Sequence, residues 1–402
     1  MILALYITVV CYLPIFGIYL PATDFGEGIP DISIERLITY GVILLFIIDS
    51  AIRKQNIFIT RWTAIIIIFS IYVFSSVSWS AYSYDFSVLQ KLLDSVLLPL
   101  IIVTIGINLF RQKENFDSYA INVIIVSLIL SVISLCQMFL SRSEIGIEVR
   151  SAGTLGNPNS LAIFFVLALP LLLYCIEKKL YKNIFMWLIN IFIFAGLICT
   201  VSRKGMITFV MVYFLFYILK KQYKKVIIGA FAIFVLVSVL ASYQVISGRF
   251  TPDKVYYELK NKNAMSYAGL QMFKTSPIIG LGFKGYYHNF WKYNKHSSRI
   301  HYDAHNMYIT AIVNYGIVGF LLFMAILFSP LSSAVKIIRK KDKLLIDESA
   351  RDMAAICICT VIPFMVNGFF AGGLFYHPEL MFIMYSNTSL IYVCDEWQQK
   401  NI

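Results

Sequence analysis

Charge is scarce in this chain. Asp, Glu, Lys and Arg make up 14% of its 402 residues, and 59% are hydrophobic. A soluble globular chain carries about 25% charged residues, so an ordinary water-soluble domain is excluded. The apolar runs also lack the period-two alternation of a transmembrane barrel: residues 64–69 read AIIIIF. The seven cysteines, Cys11, Cys136, Cys175, Cys199, Cys357, Cys359 and Cys394, all fall in or beside apolar runs. Their spacing gives neither a disulfide framework nor a zinc site, and they are expected to pack as small hydrophobes. Internal repeats and low-complexity tracts are absent. No small-residue cleavage pattern follows the long first apolar stretch, so no cleavable signal peptide is expected.

What remains is a succession of apolar runs, each of about 17 to 24 residues, long enough to cross a hydrocarbon core of about 30 Å. In lipid such runs must be helical to satisfy their own amides. The expected fold is therefore all-α: a polytopic transmembrane bundle of about twelve spans forming one integral membrane domain over residues 1–402. The spans are read near 2–20, 34–50, 62–78, 88–110, 118–140, 159–176, 184–201, 205–219, 226–246, 305–328, 353–370 and 374–394. One long loop, 247–304, joins the ninth and tenth.

The net charge of +12 is read through the positive-inside rule rather than as a nucleic-acid footprint. Arg53, Lys54 and Arg61, then Arg111 and Lys113, Lys178 to Lys182, Lys220 to Lys225 and Lys336 to Arg351 all fall on one side if the spans alternate. That side is cytoplasmic, with both termini there. The opposite loops 21–33 and 78–87 hold acids and no Lys or Arg. Three outer places break the trend: Arg142 with Arg150, Arg203 with Lys204, and the long loop.

Those exceptions hold the candidate chemistry. The stretch Arg150-Ser-Ala-Gly-Thr-Leu-Gly-Asn-Pro-Asn159 interrupts any helix at Gly153, Gly156 and Pro158. It is either a turn with a helix cap at Asn159 or Ser160, or a polar re-entrant turn lining a cavity. Ser202-Arg203-Lys204-Gly205 is a tight hairpin whose cations either snorkel to lipid phosphates or form a phosphate clamp. The long loop carries Arg249, Lys254, Lys260, Lys262, Lys274, Lys284, Lys292, Lys295 and Arg299. It also contains the glycine turn Pro277-Ile-Ile-Gly-Leu-Gly-Phe283, which would let backbone approach a ligand closely. At its exit, His301-Tyr-Asp-Ala-His305-Asn306 could be mistaken for a metal site, but no further ligands support one. His305 is instead a candidate general base, with a helix-start polar residue as the bland alternative.

The signature His305-Asn306, nine residues, Gly316, two residues, Gly319 resembles that of the bacterial O-antigen ligase and polymerase family of membrane glycosyltransferases. The Pro277…Gly280-Leu-Gly282 turn, the Ser202-Arg203 pair and the Gly153–Asn159 turn resemble three further landmarks, the last more typical of polymerase-like members. The resemblance spans roughly 150–320. It implies transfer of a glycan from an undecaprenyl diphosphate carrier to an acceptor sugar hydroxyl at the periplasmic face of the inner membrane, with no metal or other cofactor. The acceptor is a carrier-linked repeat unit in polymerases and lipid A–core in ligases, both serving lipopolysaccharide or other surface polysaccharide biosynthesis. A chain-length regulator is a candidate partner, alongside membrane lipids. By resemblance Arg203 and His305 are the catalytic residues. Arg150, Lys204, Asn159 and Asn306 are expected to contact diphosphate or glycan. The family's second arginine aligns with Lys262, leaving Lys262 and Arg249 as rivals for that role. The Asn-Pro-Asn turn with Arg150 tilts the reading slightly towards polymerase over ligase. A lipid-linked sugar transporter or flippase would suit many spans, but the two similar halves common in transporters are missing. A structural scaffold for polysaccharide assembly would not require His305.

Overall fold

The computed structural model describes residues 2–12, 34–54, 56–81, 92–140, 150–229, 252–293, 304–340, 348–372 and 377–393. Regular structure among them is helical throughout. In chain order the helices are α1 (Ile2–Tyr12), α2 (Ile34–Ile52), α3 (Arg61–Ser75), α4 (Leu98–Leu109), α5 (Lys113–Leu140), α6 (Pro158–Glu177) and α7 (Asn183–Cys199). They continue with α8 (Arg203–Leu219), α9 (Pro252–Thr275), α10 (Gly285–Tyr293), α11 (Met307–Arg339), α12 (Glu348–Gly368) and α13 (Pro378–Ser389). Among the described residues five helices are long and apolar enough to cross a membrane: α3 with its extension to Trp79, α5, α6, α11 and α12. Shorter apolar helices accompany them at α1, α2, α4 and α7. The chain is a multi-pass membrane protein. The expected span 226–246 lies outside the described residues beyond 229.

Helix α6 is the axis of the bundle. It is buried from Ser160 through Ile176 because α5, α7, α8, α12 and α13 surround it. An all-round apolar helix has no face to show water and takes such a central place. The outer helices bury one side and leave large apolar groups such as Ile68, Ile71, Ile125, Ile129 and Ile191 exposed, as hydrocarbon surroundings require. Small residues let the inner helices close up. A Cβ on Gly205 of α8 would lie 2.6 Å from the Ala162 Cβ of α6. That contact holds the start of α8, with Arg203 and Lys204, against the start of α6.

The two ends of the inner bundle differ. Glu177, Lys220 and Asp352 mark one end. The Asp352 carboxylate, 1% exposed, forms ion pairs with Lys178 at 2.8 Å and with Lys220. Lys178 also reaches Glu348 at 3.2 Å, and Lys225 pairs with Glu177 at 2.5 Å. Asn159, Arg203, Met307 and Gly368 mark the opposite end, where the candidate site lies.

The stretch expected as a long loop carries two helices, α9 and α10. Ala268, Met272, Tyr286, Phe290, Ala304 and Val313 form a small apolar core that fastens them to α11. The glycine turn between them serves this fastening. Gly316 breaks α11 at φ 62°, and residues 277–282 dock into the break. Leu281 and Gly282 donate to the Val313 and Asn314 carbonyls at 2.9 and 2.8 Å. Ile317 and Val318 donate to the Pro277 and Ile278 carbonyls at 2.9 and 3.3 Å. A Cβ on Gly280 would sit 2.4 Å from the Gly316 nitrogen, and one on Gly316 would sit 2.2 Å from the Ile278 oxygen. The close backbone approach read from this turn is thus made to α11 at Gly280 and to Ser76 and Ser80, just after α3, at Gly282.

Candidate active site

Three segments meet at the second end of the bundle. The first is the turn before α6. Gly153 (φ 58°) and Gly156 (φ 67°) bend it in the left-handed region that glycine tolerates. Gln137 of α5 holds it, accepting from the Ser151 hydroxyl at 2.7 Å and the Gly153 amide at 2.9 Å, and donating to the Gly153 carbonyl at 2.8 Å. The cap of α6 is Asn157, whose Oδ1 accepts from the Asn159 amide at 2.8 Å, with Pro158 as the first helical residue. The expectation of a cap at Asn159 or Ser160 was two or three residues late. Proline suits the first helical position because its missing N–H needs no partner there.

Asn159 instead joins the first two segments. Its Oδ1 accepts from Arg150 Nη2 at 3.3 Å and from the Ser202 hydroxyl at 3.1 Å. Arg150 Nε also donates to the Thr200 carbonyl at 3.0 Å, and Ser151 N to the Cys199 carbonyl at 3.0 Å. Arg150 is therefore built into the α7–α8 hairpin. Ser202 caps α8 by accepting from the Gly205 amide at 3.4 Å. Arg203 and Lys204 follow in the first turn.

Lys204 lies just ahead of the apolar stretch 205–219. Its Nζ donates to the Phe370 carbonyl at 3.4 Å. Its pKa is pushed down to about 8, first by burial and then by the charges of Lys262 and Arg150. Three cations from distant parts of the sequence thus act on one another here. Lys262 comes from α9, and its Nζ stands 5.2 Å from the centre of the Phe370 ring.

The third segment is the end of α9 to α11 with the residues after α12. His305 takes φ 47°, a conformation that non-glycine residues rarely adopt, and it is exposed. Asn306 follows as the cap of α11, its Oδ1 accepting from the Tyr308 and Ile309 amides at 2.9 and 3.2 Å. Gly372 packs on this bend. A Cβ there would lie 2.8 Å from the His305 nitrogen. Tyr308 donates to the Met365 carbonyl at 2.8 Å, and its ring meets Phe369 at 4.6 Å. The segment Phe369–Gly372 therefore touches Lys204, Lys262 and the His305 backbone within about 10 Å of chain.

The structure brings together Arg150, Asn159, Ser202, Lys204 and Lys262, and packs the His305 backbone against Gly372, two residues along the 369–372 strap from Phe370. Arg203 starts α8 beside them. Asn159 and Asn306 both place Oδ1 in scaffold hydrogen bonds. Arg249, like Arg142, His301 and Asp303, lies outside the described residues. Among the described residues no group of three or more His, Cys, Asp or Glu could hold a metal ion. Sequence reasoning missed Gln137, Phe370 and Gly372. A lone amide ending an apolar run marks Gln137, and the Gly-Phe-Phe-Ala-Gly-Gly run after α12 marks the others.

A histidine can take a proton and clustered cations can hold a multiply charged anion, and here the Phe370–Gly372 segment touches both Lys204 and Lys262 and the His305 backbone. Among known proteins, residues 188–324 match the family model described as O-antigen ligase. No curated protein matches. The match covers Arg203, Lys204, Lys262, His305 and Asn306, while Arg150, Asn159 and Phe370 lie outside it. It bears out the resemblance to the O-antigen ligase and polymerase family. With the all-helical membrane fold, it points to glycosyltransferase-type activity in O-antigen biosynthesis.

Proposed function

We propose that this chain is a metal-independent membrane glycosyltransferase that moves a glycan from an undecaprenyl diphosphate carrier to an acceptor sugar. The observation that carries the reading is the cation cluster of Arg150, Lys204 and Lys262, joined to the His305 backbone by the Phe370–Gly372 segment. A diphosphate leaving group gathers negative charge as the glycosidic bond breaks. Fixed cations then stabilise the transition state more than the ground state. The acceptor hydroxyl attacks the anomeric carbon and gives its proton to His305. The carbon–oxygen bond to the diphosphate breaks, and undecaprenyl diphosphate leaves held by the cations. Arg203 and Lys204 meet the diphosphate from the hairpin, and Lys262 does so from α9, taking the second cationic role rather than Arg249. Lysine there supplies a point charge rather than a bidentate fork.

The chain crosses the inner membrane about twelve times as one domain, with both termini cytoplasmic. The segment 247–304 and the site lie on the periplasmic side. The lysine-rich end around Asp352 suits the cytoplasmic side under the positive-inside rule. Polymerase activity on carrier-linked repeat units is favoured, because the Arg150–Asn159 turn is wired into the cation cluster. The ligase reading, with lipid A–core as acceptor, draws on the description of the matching family model.

Reconstitution with an undecaprenyl diphosphate oligosaccharide tests the proposal. Lengthened chains without added acceptor are expected. Product only on addition of lipid A–core would make the protein a ligase. His305→Ala and Arg203→Ala should each lower turnover by about two to four orders of magnitude, the usual worth of a general base or a charge stabiliser. Unchanged product in both variants would sink the site, and dependence on added divalent metal would sink the metal-free mechanism.

A further inference from the structure

We propose that Phe370 is a positioning residue for the donor site, holding Lys262 through its ring face and Lys204 through its carbonyl. The proposal rests on the donor-binding role given to these lysines above. Lys204 and Lys262 repel each other, and burial makes the charge on Lys204 still more costly. A carboxylate would relieve both. It would also cancel the positive charge that an incoming diphosphate needs, and would itself repel the diphosphate. Phe370 offers a neutral solution. The negative face of its ring lies 5.2 Å from Lys262 Nζ, inside the range of cation–π attraction. Its carbonyl oxygen accepts from Lys204 at 3.4 Å. Each lysine meets a partial negative charge, and the net charge of the pocket is unchanged.

The residue is also placed to matter. Phe370 is 44% exposed, so it is not a core side chain whose loss would leave a cavity. Two residues later, Gly372 presses on the His305 nitrogen. The strap that spaces the lysines therefore sets their distance from the proposed base as well.

The test uses full-length reconstituted protein with Phe370→Leu, Phe370→Tyr, Lys262→Ala and the Phe370→Leu/Lys262→Ala double variant. Leucine keeps the carbonyl and the bulk but loses the π face, whereas tyrosine keeps all three. KM for the carrier-linked donor should rise and kcat/KM should fall roughly three- to tenfold in Phe370→Leu, and both should return in Phe370→Tyr. The double variant should be no worse than Lys262→Ala alone, because the ring acts through that lysine. Independently of activity, trace amine labelling read by mass spectrometry should show Lys262 labelled faster in Phe370→Leu and normally in Phe370→Tyr. Unchanged KM and labelling in Phe370→Leu, or equal damage from leucine and tyrosine, would overturn the proposal. If the labelling changes as expected while Lys262→Ala leaves donor KM untouched, the ring contact stands. In that case the donor role of Lys262, and with it the functional reading above, is what fails.

Discussion

At the scale of single residues, the site separates groups that face a ligand from groups that hold the scaffold. Asn306 belongs to the second kind. Its Oδ1 closes the first turn of α11, so Asn306→Ala should cost about 1 kcal/mol of stability, and Asn306→Asp much less. Thermal unfolding in detergent would show the ranking, and equal losses would mean that the Oδ1 cap is not what Asn306 contributes to stability. In the proposed mechanism Lys204 belongs to the first kind, and its lowered pKa gives that site an alkaline limit. As pH rises through about 8 the ammonium is lost, so donor KM should climb between neutral pH and pH 9. Lys204→Arg should flatten that rise, because guanidinium stays charged. The stability effect runs the other way. The folded chain binds this proton less tightly than the unfolded one, so the group's penalty to folding is present at neutral pH and fades as pH rises above 8. A donor KM that is flat with pH in the wild type would exclude Lys204 as the titrating cation. The roles proposed for His305 and Arg203 were suggested in the sequence by the loop-exit histidine and the outer basic hairpin, each with a bland alternative, and singled out by resemblance. Phe370 was hidden because a phenylalanine in an apolar run carries no mark of the lysine it will meet.

Among the elements, the docking of the 277–282 turn into α11 is the least forgiving feature. Gly280 holds φ 74° with backbone atoms of Asn314 and Gly316 where a side chain would go. Gly156 holds φ 67° with nothing within 4 Å. The two glycines therefore separate conformational strain from steric exclusion. Gly156→Ala should cost about 1–2 kcal/mol from backbone strain alone. Gly280→Ala should lose several times that and fall to low yield in membrane extracts. Similar Tm values for the two would show that the turn can leave α11 without penalty. The helices themselves were legible, because apolar runs between lysine clusters leave the chain little choice. The glycine turn was visible as a motif, but its partner was not. The turn and Gly316 are more than thirty residues apart, and no local pattern joins them. The helical character of α9 and α10 was also missed, since their mixed composition reads as loop.

For the molecule as a whole, charged groups among the described residues of the inner helices sort to the two ends of the bundle, and each end handles lysine differently. Around Asp352 the lysines have a carboxylate, and the assembly is held by charge. Asp352→Asn would leave Lys178 and Lys220 crowded around a neutral amide. It should cost about 3 kcal/mol, typical of a buried pair that loses one partner, while kcat of the folded fraction stays near wild type. A large fall in kcat at normal stability would instead tie this end to the chemistry at the other.

The break in α11 has a mechanical consequence. A helix interrupted in mid-course would ordinarily act as a joint. Here the inserted turn donates to the half before Gly316 and accepts from the half after it, like a splint across a fracture. The splint is continuous with α9 through Thr275 and Ser276. Force applied at Lys262 therefore passes down α9 and across the splint to the rod that begins beside His305. The proposed base and one cation are framed as a single stiff part, while Arg150, Arg203 and Lys204 are carried by the turn before α6 and the α7–α8 hairpin.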